Sequence, residues 1–417
     1  PVVVTGSAAG IAGTRSATLS LTVNAPAGGA NVQWQFCEPA RFPLWFGVRS
    51  GTTGAWTAVN PTANGAGVGY TFAFDQPGQV AYARNTADGV HITVLNTTPQ
   101  EILAQAANEC ATYRRTKTIT GRIVNGINAL GGASISAGGA NTVIPAGGST
   151  FTLSGVKEGV TDIIAYLGVP TATGWSGFDR IIMRRDVNPA NGAVIDDFDF
   201  AGPEWLFTVA ANFRFRNLGG EQFTVTRSYL TANGNVGPIA TYGARSDSMF
   251  GLPGIPAAMR RPGELHVATA STVNATAPRT VTSYNTNFNS DPMVFGPTLA
   301  APTVSVLGTA PVRLRAEGTW SSDYGSTIMA TFAQDVGAPN ARRVELHASR
   351  EFFAGGSYTL ETPDFATAPG FNASWLLRAS VPVTHTVTAT GVGVGFSLTP
   401  ADGTHIISAS RIGTVTP

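Results

Sequence analysis

Hydrophobic and polar positions alternate with a period of two along most of this 417-residue chain. Ala17-Thr18-Leu19-Ser20-Leu21-Thr22-Val23, Tyr70-Thr71-Phe72-Ala73-Phe74, Val90-His91-Ile92-Thr93-Val94 and Val344-Glu345-Leu346-His347-Ala348 all follow the pattern. Residues i and i+2 of an extended chain share a face, so each segment predicts a strand with one buried side and one wet side. Turn signals such as Asn191-Gly192, Ala232-Asn233-Gly234 and Ala401-Asp402-Gly403 separate these segments at sandwich-like spacing. One segment departs from the pattern. Thr98-Pro99-Gln100-Glu101 reads as a capping box with Pro at the first helical position, and Ile102, Leu103 and Ala106 follow as an apolar stripe. A short helix near 98–109 is expected there. The predicted fold class is all-β, with β-sandwich domains in tandem and this single short helix.

Composition narrows the function. Charged residues make up only 12% of the chain, and 26 basic against 25 acidic residues leave a net charge of +1. A balance this even excludes bulk electrostatic attraction to nucleic acid or to an anionic membrane. Apolar runs long enough for a spanning helix, about 18 residues, do not occur. Lys is confined to Lys117 and Lys157, which argues against lysine-built cross-links in every domain. Cys37 and Cys110 are the two cysteines, and without a CxxC or a Cys/His cluster they do not suggest zinc. They are either two buried thiols or one disulfide. The disulfide is expected, since the composition looks extracellular and such a bridge contributes about 4 kcal/mol in the chain-entropy model. The chain opens on Pro1 and goes straight into strand-like sequence, which suggests an export signal removed upstream.

The expected organisation has five parts. Residues 1–26 form an N-terminal hairpin arm and 27–115 a disulfide-clamped β domain. Residues 116–168 form a small sandwich. Two further sandwiches occupy 169–300 and 301–417. Residues 116–168 resemble the carboxypeptidase regulatory-like, transthyretin-type module of bacterial secreted proteins. The likeness rests on Thr118-Ile119-Thr120-Gly121-Arg122-Ile123-Val124, Leu130 to Ile135, Phe151-Thr152-Leu153-Ser154-Gly155-Val156 and Asp162 to Tyr166. It implies a spacer or recognition domain without chemistry of its own. Val2 to Thr5, the turn Gly10 to Gly13 and Ala17 to Val23 resemble the last two strands of a bacterial immunoglobulin-like domain. An isolated hairpin buries too little surface to stand alone. That implies packing elsewhere or strand addition to a neighbour, with Leu19, Leu21 and Val23 as its apolar face.

Candidate chemistry is sparse. The histidines at 91, 266, 347, 385 and 405 are expected on solvent-facing strand positions. Asp197 and Asp199, on one face of an expected acidic strand, are candidate Ca²⁺ ligands, although the surrounding spacing does not match an EF-hand. No other metal or cofactor is suggested. Gly391-Val392-Gly393-Val394-Gly395 lacks the following helix that a dinucleotide fingerprint requires. The Arg pairs at 114–115, 184–185, 260–261 and 342–343 are expected on wet faces beside carboxylates. Trp45 and Trp56 offer flat rings on which a sugar could stack, against the alternative of core packing. No catalytic constellation appears, and the expectation is a non-enzyme. The leading expectation is an exported structural protein of the bacterial cell surface, filament-forming or otherwise self-associating. The alternative is a carbohydrate-binding or adhesin array.

Overall fold

The computed structural model describes all residues except 1, 11–12, 22–29, 66, 109–114, 127–131, 172–173, 247, 288–291, 354 and 393–399. The described chain is all-β. Its one α-helix, Pro99–Asn108, begins at the expected capping box. The Thr98 amide donates to Glu101 Oε2 at 2.9 Å, and the Glu101 amide donates back to Thr98 Oγ1 at 3.4 Å.

A twelve-stranded sheet organises most of the molecule. From one edge to the other it runs through Val236–Arg245, Phe223–Leu230, Leu265–Thr272, Arg279–Asn285, Thr404–Val415, Val383–Val392, Thr327–Gln334, Ala341–Ser349, Gly89–Thr97, Gly78–Asn85, Trp45–Ser50 and Thr57–Ala58. Neighbours are antiparallel except at one seam. There Gly89 to Asn96 lies parallel to Ala341 to Ala348. A Cβ on Gly89 would lie 2.0 Å from the Ala341 carbonyl oxygen, so only glycine fits at the start of this seam. The expected divisions at residues 115 and 300 therefore do not interrupt the sheet.

Three small sheets cover parts of the large one. Ala30–Phe36, Thr62–Asn64 and Gly67–Phe74 pack with the helix on one face, burying Trp34, Phe36, Phe46, Tyr70, Val80 and Ile102. Thr303–Thr309, Val312–Thr319 and Ser357–Glu361 cover the opposite face, enclosing Ile92, Val94, Leu314, Ile328, Val344 and Leu346. Strands Gly78–Asn85 and Gly89–Thr97 thus have apolar residues on both faces. Val209–Arg216, Met249–Gly254 and Met293–Val294 close a third core around Phe213, Phe215, Phe223 and Phe295. Burying side chains of this size contributes about 1.5–3 kcal/mol each.

Residues 116–207 form a separate two-sheet sandwich. Thr150–Lys157, Thr116–Val124 and Phe198–Asp199 face a five-stranded sheet of Ala140–Ile144, Ala133–Ala137, Thr161–Thr171, Gly174–Val187 and Leu206–Phe207. The sandwich recruits Ile182, Phe198 and Phe200 into its core, so it extends past residue 168. Its outer face meets the strand Val236–Arg245 across Ile164, Tyr166, Ile181, Tyr229, Ile239 and Ile255. Gly237 sits at this contact. A Cβ there would come within 2.7 Å of Ser136 Oγ and 2.9 Å of the Tyr166 hydroxyl.

The hairpin arm consists of Val2–Gly10 and Gly13–Leu21, paired in register from Val2↔Leu21 to Gly10↔Gly13. Its strands form a two-stranded sheet of their own among the described residues.

Candidate functional site

The most densely connected polar cluster is buried where the two sandwiches meet. Glu264 is a fully buried carboxylate in the turn before strand Leu265–Thr272. It accepts from both terminal nitrogens of Arg185, from the Tyr229 hydroxyl at 2.8 Å, from the Arg261 amide at 2.7 Å and from the Ala232 amide at 3.2 Å. Asp162 is equally buried. It accepts from Arg185 Nη1 at 3.3 Å, from the Asp186 amide at 3.0 Å and from Asn233 Nδ2 at 3.0 Å. Burial opposes ionisation of Asp162, but hydrogen bonds from Thr231, Asp186 and Asn233 and the Arg185 charge outweigh it and hold the carboxyl below its ordinary value. The lone pairs of both acids are engaged, so the cluster fastens two layers together and has no free acid or base to offer a substrate. Arg185 is the inward member of the Arg184-Arg185 pair. Arg184 remains on the surface beside Glu204 at 2.9 Å.

Other expected residues fall in different places. Trp45 and Trp56 are in the core, only 6% and 4% exposed. Their rings meet each other edge to face and pack against Phe365. Phe371 also abuts Trp45. Sugar stacking is closed to them here, because their faces went to the core of the sandwich. Asp199 spends its carboxylate on Asn125 Nδ2 at 3.0 Å and the Ala201 amide at 2.9 Å, while Asp197 lies 3.8 Å from Arg122 and precedes the short strand. The two acids therefore have separate partners and no shared strand face, and among the described residues no group of three or more His, Cys, Asp or Glu is arranged to hold a metal ion.

His266 is not solvent-facing. It is completely buried, and its Nε2 accepts from the Ile255 amide at 2.9 Å. Burial, reinforced by the Arg227 and Arg260 charges, pushes its pKa down to about 3. His91 and His347 do sit beside acids, Asp88 at 3.3 Å and Glu345 at 3.7 Å. Arg227, also completely buried, stacks on Phe213 at 4.6 Å, and none of its guanidinium nitrogens has a hydrogen-bond partner. Burial lowers its pKa to about 9. Alternation in Phe223–Leu230 places Arg227 on the core face beside Phe223 and Val225, a position legible in the sequence.

Leu19 and Leu21 lie on the second hairpin strand, opposite Val4 and Val2; Val23 lies outside the described residues. Cys37 is not a free thiol. Cys110 lies outside the described residues, and the expected Cys37–Cys110 pairing with it. So does the segment Gly393-Val394-Gly395.

Sequence reading missed the uncovered face of the large sheet. On the face opposite the one that Val209–Arg216 and Val312–Thr319 cover with their partner strands, many outer positions are hydroxylic, with Glu345 and His347 as a charged pair near one end. Register aligns Thr224, Ser271, Thr280, Ser408, Thr390, Thr327 and Ser349 in one unbroken row across neighbouring strands. Cross-strand pairs bond within this face: Thr269 with Thr282 at 3.0 Å, Ser271 with Thr280 at 3.0 Å and Thr388 with Ser410 at 2.8 Å. The row ends in a groove of about 570 Å³ between the helix and the sheet. The Thr-x-Thr alternation was legible, but its lateral alignment depends on long-range register.

No family model matches the chain, and no curated protein matches it.

Proposed function

We propose that this chain is a structural protein of the bacterial cell exterior that associates with copies of itself or with other envelope proteins. The observation that carries the reading is the hairpin Val2–Leu21, which pairs with no other strand among the described residues. Two long strands with only each other for partners leave outer edges of unpaired N–H and C=O groups, the template for strand addition. In this reading the arm, with Leu19, Leu21 and Val23 as its apolar face, docks on a neighbouring subunit. The all-β layers form the rigid body being strung together, the 116–207 sandwich acts as a spacer module, and an oxidised Cys37–Cys110 bridge steadies the layer beside the helix. That bridge would fit an exported protein. The even charge balance supports the reading, since identical copies then approach without strong mutual repulsion. Removal of residues 1–26 tests it. The truncated chain is expected to melt like the full chain yet sediment as a monomer under conditions where the full chain assembles. Assembly that survives the deletion overturns the proposal.

A further inference from the structure

We propose that the groove beside the helix, together with the hydroxyl row leading into it, binds a neutral polysaccharide chain. This inference does not depend on assembly through the hairpin.

The groove has an apolar floor and polar rims. Trp34, Tyr82, Leu95 and Met329 line its floor. Gln100 and Gln105 border it on the helix side, and Thr327, His347 and Ser349 on the sheet side. A pyranose presents the complementary surface, with C–H groups on its ring faces and hydroxyls around its perimeter. Amides and hydroxyls, which both donate and accept, suit that perimeter. The volume of about 570 Å³ lies within the ordinary range for ligand sites.

The charges in the lining point to a neutral ligand. No Arg or Lys lines the groove. Glu101 is occupied by the Thr98 cap, and His347 lies 3.7 Å from Glu345. An anionic polymer would therefore find no cation to pair with. Independently, the indole N–H of Trp34 is buried without a hydrogen-bond acceptor, and Trp34 itself is only 2% exposed. A buried donor left unpaired is costly, and an acceptor oxygen from a ligand in the groove would satisfy it.

The hydroxyl row argues for a polymer over a small sugar. Thr327 and Ser349 belong both to the groove and to the row that runs back to Thr224. Strands spaced about 4.8 Å apart make this row roughly 29 Å long over its six steps. Away from the His347–Glu345 pair at its groove end, flanking residues on the same face such as Thr269, Thr282, Thr388 and Ser410 are also uncharged. A polymer seated in the groove can thus continue along the face, whereas a disaccharide reaches the groove alone.

Affinity electrophoresis of the full chain tests this, with gels containing hydroxyethyl cellulose, glucomannan, galactan or glycol chitin, and polygalacturonate as the acidic comparison. At least one neutral polymer is expected to retard the chain while polygalacturonate does not. In titrations with oligomers of that polymer, affinity should rise from two to six units. Thr327→Asp, on the solvent face, and Trp34→Phe, which removes the N–H but keeps a ring, should each weaken binding about tenfold. Thr327→Asp decides alone if Trp34→Phe does not fold. Absence of retardation in every neutral gel, stronger retardation by polygalacturonate, or unchanged binding by a folded Thr327→Asp variant would each overturn the proposal.

Discussion

At the seam between Gly89–Thr97 and Ala341–Ser349, the backbone forms a continuous parallel ladder and Ile92, Val94, Val344 and Leu346 are completely buried beside it. Among the described residues the junction between the 116–207 sandwich and strand Val236–Arg245 has no shared ladder; side-chain packing and side-chain hydrogen bonds hold it, with Glu264, Arg185 and Asp162 buried at its centre. The first seam combines backbone hydrogen bonds that no side-chain change removes with apolar burial that is non-directional. The second depends on a few directional bonds among groups that are costly to bury, and therefore favours one docking geometry. The two junctions should fail in different ways.

Truncating one member of the ionic junction has the largest expected effect. Glu264→Ala leaves Arg185 facing an incomplete partner set and should cost about 3–5 kcal/mol, read as a lower urea midpoint. A smaller loss than that of a surface Glu→Ala control would remove the cluster from its supporting role. At the apolar seam, Leu346→Ala should cost about 2–5 kcal/mol with little salt dependence. A strong dependence on salt would contradict the contrast.

Arg227→Met runs the other way. The guanidinium is buried with no hydrogen-bond partner, so a similarly shaped apolar side chain should stabilise the protein by about 1–4 kcal/mol. A lower melting temperature would mean that stacking on Phe213 outweighs the burial cost. Lowering the pH adds a further test. His266 is held neutral, with its pKa depressed from 6.5 to about 3. The unfolded chain therefore takes up a proton that the folded chain refuses. Stability should fall as pH drops from about 6.5 towards 3, by up to about 1.4 kcal/mol per unit, and should flatten in His266→Gln. Asp162 adds in the same direction lower on the scale. Its depressed carboxyl stabilises the fold above the ordinary value of 3.8, and the benefit disappears as pH falls through the native value. The smallest effect is at the helix start, where Thr98→Ala should cost about 1 kcal/mol, seen as faster exchange of the Glu101 amide.

Local features were legible in the sequence because local physics determines them. The cap at Thr98 and Glu101 involves residues three apart, and the strands follow from side chains that alternate about the backbone. Partners distant in sequence were not legible. Arg185 meets Glu264 across 79 positions, and nothing near either residue signals the other. Trp45 and Trp56 carried no local mark that would separate a core ring from an exposed one. His266 and His385 both depart from the expected solvent-facing placement, His266 on the inward side of its strand where the Ile255 amide needs an acceptor, and His385 on the same side as the core residues Val383 and Val387.

The parallel seam also bears on how the chain reaches this state. Gly89 to Asn96 can acquire its neighbour only after the segment around Ala341 exists, and the strand Thr404–Val415 must then insert between Arg279–Asn285 and Val383–Val392. Contacts this distant in sequence give the protein a high contact order and slow acquisition of native structure. Fragments ending near residue 115 or 300 would expose raw strand edges and should aggregate when expressed alone. Any process that must thread the chain through a narrow pore would benefit from that delay.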